Sequence, residues 1–204
     1  EIMPSLVGSE MCIRDRFNSV CHIIPDNVIV LFENLWWSGL KLLEPGLVEK
    51  FFSLLKTKNV GIMLDTGHLM NTNMYLTDEL AGIAYICQVL DKLGDLKHLI
   101  KGVHLSCSLS GEYQQQFAKV VPPKIDFAAL LTHIAKIDRH MPFSDTGVSE
   151  ILEKVQPQYL VHELFYDSLS DMSVKLSQQQ KACGVRSRCC LLYTSDAADD
   201  TPCV

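Results

Sequence analysis

The chain has 204 residues, 48% of them hydrophobic, with 18 Lys and Arg against 24 Asp and Glu for a formal charge of −6. It is long enough to bury one sizeable core, and no apolar run approaches the roughly 18 residues needed to span a bilayer, so no membrane partner is expected. The acidic balance weighs against a nucleic-acid partner, which normally meets a cationic footprint.

In chain order, the first segment does not read as part of a fold. Residues 4–16 resemble translated sequencing-adaptor read-through, and 190–200 have the same appearance. Residues 1–16 and 186–204 are therefore set aside as adaptor-like artefact or disorder, as a fusion scar would be; natural disordered tails are the alternative. The folded unit is expected at 17–185. Of the eight cysteines, Cys12, Cys189, Cys190 and Cys203 fall in the flanks. Cys21, Cys87, Cys107 and Cys183 form no C-x-x-C pair and read as buried, reduced thiols of a cytoplasmic protein.

Four short runs rich in Val, Ile and Leu, at 28–32, 61–64, 99–103 and 159–162, suit parallel strands covered on both faces. Amphipathic segments lie among and after them. Helices are expected at 45–56, with Pro45 in the first turn, and at 77–96, with Thr77 as cap and Asp78 and Glu79 in the first turn. Others are expected at 126–137, capped by Asp126, at 148–155 and at 168–182. The link 106–124 is long for a strand-to-helix connection, and its serines and Pro122-Pro123 predict an irregular flap. Strand–helix alternation implies right-handed βαβ units, with all strand C-terminal ends on one face.

Each strand-like run stops at a group that can do chemistry: Glu33, Asp65, His104 and Glu163, with His68 three residues after Asp65. Taken singly, such a Glu is more often a surface charge or cap, and such a His a satisfied core or loop residue. Four of them at four consecutive strand ends argue for one shared site. Oxygen and imidazole donors together suit Mn, Co, Mg or Zn and disfavour a soft thiolate metal.

Glu33-Asn34-Leu35, Asp65-Thr66-Gly67-His68, His104-Leu105, Asp138-Arg139-His140 with Pro142-Phe143, and Tyr159-Leu160-Val161-His162-Glu163, in that order, resemble the second half of the xylose isomerase-like TIM barrels. That superfamily holds sugar phosphate isomerases and epimerases and also the endonuclease-IV-type apurinic nucleases. The resemblance implies an α/β fold, a partial (β/α)8 barrel of about the last four βα units, since a complete barrel takes about 250 residues. It implies that Glu33, Asp65, His104 and Glu163 bind one divalent metal ion (Mn, Co, Mg or Zn). Glu33 and Glu163 would double as catalytic acid and base on opposite faces of a ketose, in an isomerase or epimerase that abstracts a proton next to a carbonyl. The partner is then a small sugar or sugar phosphate.

His68 matches a substrate contact in the epimerases and a further metal ligand in the nucleases. Asp138 and His140 resemble the pair that shares that additional zinc; the alternative is that they only finish the helix from Asp126. Two other functions stay open: a metal-dependent phosphodiesterase at abasic DNA, and a non-catalytic sugar-binding barrel. Trp36 and Trp37 form either an aromatic wall for a sugar or core packing. Asn34 is expected to hold a neighbouring ligand or loop, His162 to face the other side of its strand, and Cys107 to be a passive loop thiol. Half a barrel would leave open strand edges, which invite self-association.

Overall fold

The computed structural model describes residues 4–37, 39–117 and 126–184. Its strands are β1 (Val30–Glu33), β2 (Val60–Asp65), β3 (Ile100–Leu105) and β4 (Tyr159–His162). They form one sheet in the order β1-β2-β3-β4, and every neighbouring pair is parallel. A parallel pair needs a crossover, and helices supply it. The helix α1 (Pro4–Val20) precedes β1; α2 (Pro45–Ser53) joins β1 to β2; α3 (Thr66–Asn71) and α4 (Glu79–Leu93) join β2 to β3. Then α5 (Gly111–Phe117), α6 (Phe127–Ile137) and α7 (Val148–Val155) lie between β3 and β4, and α8 (Leu169–Ala182) follows. The protein is thus α/β with a four-stranded parallel sheet, an architecture compatible with part of a barrel.

The period-2 alternation of strand side chains separates two faces. Ile62 and Leu64 of β2 and Val103 and Leu105 of β3 are fully buried and join a core with Phe51 and Phe52 of α2, Ile86 and Leu90 of α4 and Ile151 of α7. On the other face lie Gly61, Met63 and Asp65. A Cβ built on Gly102 would come within 2.8 Å of the Met63 side chain and 3.2 Å of Leu31, so Gly102 lets these two cross the sheet. Register shifts once: Ile62 pairs with Ile100 but Met63 with Gly102, which leaves Lys101 of β3 without a register partner in β2 and sets Asp65 beside His104.

Helix starts follow local capping, with some corrections to the sequence reading. The helix expected at 77–96 starts at Glu79, because Asp78 and not Thr77 is its cap, the Asp78 carboxylate accepting from Ala81 N. Asp126 and Ser168 cap α6 and α8. The link after β3 is not wholly irregular: Gly111–Phe117 is helical, and residues 118–125 of the expected flap lie outside the described residues. Helix α3 was not expected. The segment 1–16, set aside as artefact or disorder, is helical from Pro4 as the first part of α1. Near its end, Phe17 packs edge-on against Phe32 at 5.0 Å, and Asn18 bonds Leu54 O and Lys56 N. Residues 186–204 lie outside the described residues. Among the described residues no helix is long and apolar enough to cross a membrane.

Candidate metal centre

Asp65 has two roles, and the short helix explains both. The chain turns from β2 straight into α3, with Asp65 as the N-cap: one carboxylate oxygen accepts His68 N at 2.6 Å. Capping satisfies a backbone donor that the helix start would otherwise orphan. It also holds the carboxylate at the C-terminal end of the sheet, fully buried. Gly67 is required here, since a Cβ would stand 2.6 Å from Ser106 Oγ. Asn34, also fully buried, grips the Asp65 peptide from both sides: its Nδ2 donates to Asp65 O at 2.9 Å and its Oδ1 accepts Asp65 N at 2.8 Å. The side chain of Thr66 donates to Ser106 O and accepts Ser106 N, tying the start of α3 to the end of β3.

These ties bring the strand-end groups together. His104 Nδ1 lies 3.3 Å from Glu33 Oε2, 3.1 Å from Glu163 Oε2 and 3.8 Å from Asp65 Oδ2. Glu33, Asp65 and His104 can each offer a ligand atom within 4.8 Å of the other two. Metal–ligand bonds of about 2.0–2.2 Å place donors about 3–4.4 Å apart, a range that the His104 distances to Glu33 and Asp65 meet. Glu163 adjoins it through the same imidazole nitrogen. Asp65 Oδ2, His104 Nδ1 and Glu163 Oε2 are buried yet lack a well-directed hydrogen bond. Close donors that fail to bond one another are what an ion between them would satisfy.

A second group continues the first. His68 Nδ1 donates to Asn34 O at 2.8 Å and lies 3.0 Å from Glu33 Oε1, while Nε2 lies 3.1 Å from Asp138 Oδ2. His140 Nε2 reaches the same Asp138 oxygen at 2.7 Å. Asp138 stands just past α6 as its C-cap and is only 5% exposed, so it does end the helix, but its carboxylate also bridges two imidazoles. His140 adopts φ +43°, a left-handed backbone uncommon for histidine, of the kind found at functional sites. Its ring stacks on Phe165 at 4.3 Å. Trp36 lies 4.6 Å from the His68 ring, and Trp37 is half-exposed beside it.

Charges here are strongly interdependent. Burial opposes ionisation of Glu33, but His104 and His68 outweigh it and bring the carboxyl down to about 2. Asp138 behaves alike: burial raises it, His140 and His68 prevail, and it falls to about 2. Burial pushes Asp65 upward, with Glu163 and Asp138 adding to the effect against His68. Burial would depress His68 and His104, but Asp138 and Glu33 lift the first to about 11, and Glu163 and Glu33 lift the second to about 10. The imidazoles therefore carry the positive charge that balances the carboxylates, and a bound cation would displace protons from ligating nitrogens.

Every residue singled out at the strand ends, with His68, Asp138 and His140, thus lies in one connected cluster. His162 faces away from it, its Nδ1 meeting Gln179 Nε2 at 2.9 Å. Cys107 is 6% exposed, and burial pushes its thiol up to about 12, so it stays protonated. Sequence reasoning missed Gln179, a polar residue in the amphipathic pattern of α8, and the capping role of Asp65, which the Asp-Thr-Gly-His spacing could have revealed. Comparison with protein-family models, with curated proteins and with solved structures finds no match to this chain.

Proposed function

We propose that the chain is part of a divalent-metal-dependent sugar (phosphate) isomerase or epimerase of the xylose isomerase-like type, built as the last four βα units of a barrel and acting by proton abstraction next to a carbonyl. The observation that carries this reading is the convergence of Glu33, Asp65 and His104, with Glu163 against the same imidazole, at the C-terminal ends of adjacent parallel strands. Asp65 and His104, held by the Asn34 and Thr66 ties, would anchor the ion, with Glu33 and Glu163 completing its shell. When bound, the ion would polarise the carbonyl and hydroxyl oxygens of a ketose.

Glu33 ends one outer strand and Glu163 directly follows the other, on either side of His104. Both carboxyls are held below their usual range despite burial, Glu33 by His104 and His68, and Glu163 chiefly by His104, so both are ionised and able to accept a proton at neutral pH. His68, protonated between Glu33 and Asp138, holds the Glu33 carboxylate in place and in its ionised form. The half-exposed Trp37 offers an apolar surface to one side of a sugar.

Proton–deuterium exchange at substrate carbon, followed by NMR in the parent protein with all barrel strands, tests this. Glu33→Gln and Glu163→Gln should each lower exchange by about 100-fold or more, the scale of general acid–base catalysis, while lowering Mn affinity far less, because Gln keeps an oxygen donor.

One observation favours a second reading. His68, Asp138 and His140 form a contiguous donor set beside the first, as a multi-metal phosphodiesterase would need. Zinc-dependent cleavage of abasic DNA without any sugar turnover would replace the epimerase reading with that one.

A further inference from the structure

Gln179 of α8 is fully buried, and its amide is hydrogen-bonded to three separate segments. Its Nε2 donates to Leu105 O at 2.8 Å and to His162 Nδ1 at 2.9 Å, and its Oε1 accepts Phe143 N at 2.9 Å. Both amide protons and one carbonyl lone pair are thereby engaged. A buried amide is costly unless satisfied, and a Met of similar length would fill the space without that demand. Filling space therefore does not explain the choice.

The location of the partners does. Leu105 directly follows His104, His162 directly precedes Glu163, and Phe143 stands three residues beyond His140. The Leu105 carbonyl that Gln179 holds also accepts Glu163 N at 3.3 Å, at the point where β4 delivers its carboxylate. One side chain on the helix side of the sheet thus joins three segments whose neighbours form the opposite, acidic face.

We propose that Gln179 is a positioning residue of the metal centre, which fixes the spacing of His104, Glu163 and His140 by tying Leu105, His162 and Phe143 to one amide. This rests on the metal-site reading above. Gln179 touches no ligand atom of that site; it acts through the backbone and His162. Supports one step removed from a metal typically change its affinity by about 10–100-fold when lost.

The test is a Mn(II) titration of the 204-residue chain by electron paramagnetic resonance, with thermal unfolding of each variant in parallel. Gln179→Met keeps the length and removes all three bonds. Gln179→Glu keeps an acceptor for Phe143 N and removes both donors. Leu90→Ala, in the fully buried core of α4, lowers stability away from these segments. Both Gln179 variants should weaken Mn(II) binding, Gln179→Met by about 10–100-fold, and Leu90→Ala should leave it within about twofold, as independent sites do. Wild-type affinity in a folded Gln179 variant, or equal weakening by Leu90→Ala, would overturn the positioning role. So would loss of folding in both Gln179 variants, which would make the residue one of folding alone. A wild-type chain that binds no Mn(II) would remove the metal centre itself, a distinct failure that takes this proposal with it.

Discussion

The two faces of β2 show opposite solutions to burial. On one, Ile62 and Leu64 are fully buried in the apolar core with residues of α2, α4 and α7. On the other, Asp65 is just as buried, one residue from Leu64, but among carboxylates and imidazoles with an unpartnered oxygen. Hydrophobic burial of the first kind stabilises the fold outright. The second kind lowers stability unless something supplies positive charge, and sites that break local rules in this way are where function is expected.

The largest effect should come from the apolar face. Leu64→Ala should destabilise the chain by about 2–5 kcal/mol in chemical denaturation, the range for a buried Leu. The folded fraction should bind Mn(II) as before. Loss of metal binding in step with stability would erase the distinction between the faces.

Next is the stabilisation by an ion. Mn(II) at a hundred times its dissociation constant should stabilise the protein by about 2.7 kcal/mol, and Asp65→Asn should abolish that gain. Without metal, Asp65→Asn should raise the melting temperature, since Asn can still cap α3 while the cost of burying an ionisable carboxyl is removed. A metal-free variant less stable than wild type would mean that the carboxylate itself supports the fold.

A third effect is the pH dependence of the metal-free protein. His68 and His104 are raised from 6.5 to about 11 and about 10. Their contribution is therefore complete below about pH 6.5 and is lost as pH rises through those values. Glu33 and Asp138 are lowered from 4.5 and 3.8 to about 2, so theirs is present above about pH 4.5 and lost as pH falls toward 2. Asp65, displaced upward from 3.8, binds its proton more tightly in the folded state, so its contribution is lost as pH rises above that value and adds to the alkaline fall. Denaturation midpoints should be highest between about pH 4.5 and 6.5 and should fall from pH 7 to 9, less so in His104→Gln. A midpoint that rises over that range would contradict the charge balance described here.

Much of this contrast was legible in the sequence, for a physical reason. Four apolar runs ending in Glu33, Asp65, His104 and Glu163 specify both a parallel sheet and what its C-terminal ends carry, although only the two central strands are buried and the outer two are not covered on both faces as expected. The Asp126 cap and a segment expected from Ser168 placed two helix starts within a residue. What stayed hidden depends on contacts between distant segments. That Asn34 holds a ligand was expected, but not that its amide reaches the Asp65 peptide 31 positions away, and Gln179 to Leu105 spans 74. No pattern within a single element records such ties. Asp138 was ambiguous for the same cause: its helix end is local, its bridge to His68 is not. The shift that leaves Lys101 of β3 without a register partner in β2 and brings Asp65 level with His104 is a property of two strands together.

The direct measurement is anomalous diffraction from crystals of the chain soaked in Mn(II). The expected result is a peak within coordination distance of Glu33, Asp65 and His104, with Glu163 completing the shell, and its disappearance in Asp65→Asn. No peak at these residues at saturating Mn(II), or an unchanged peak in Asp65→Asn, would contradict the metal centre.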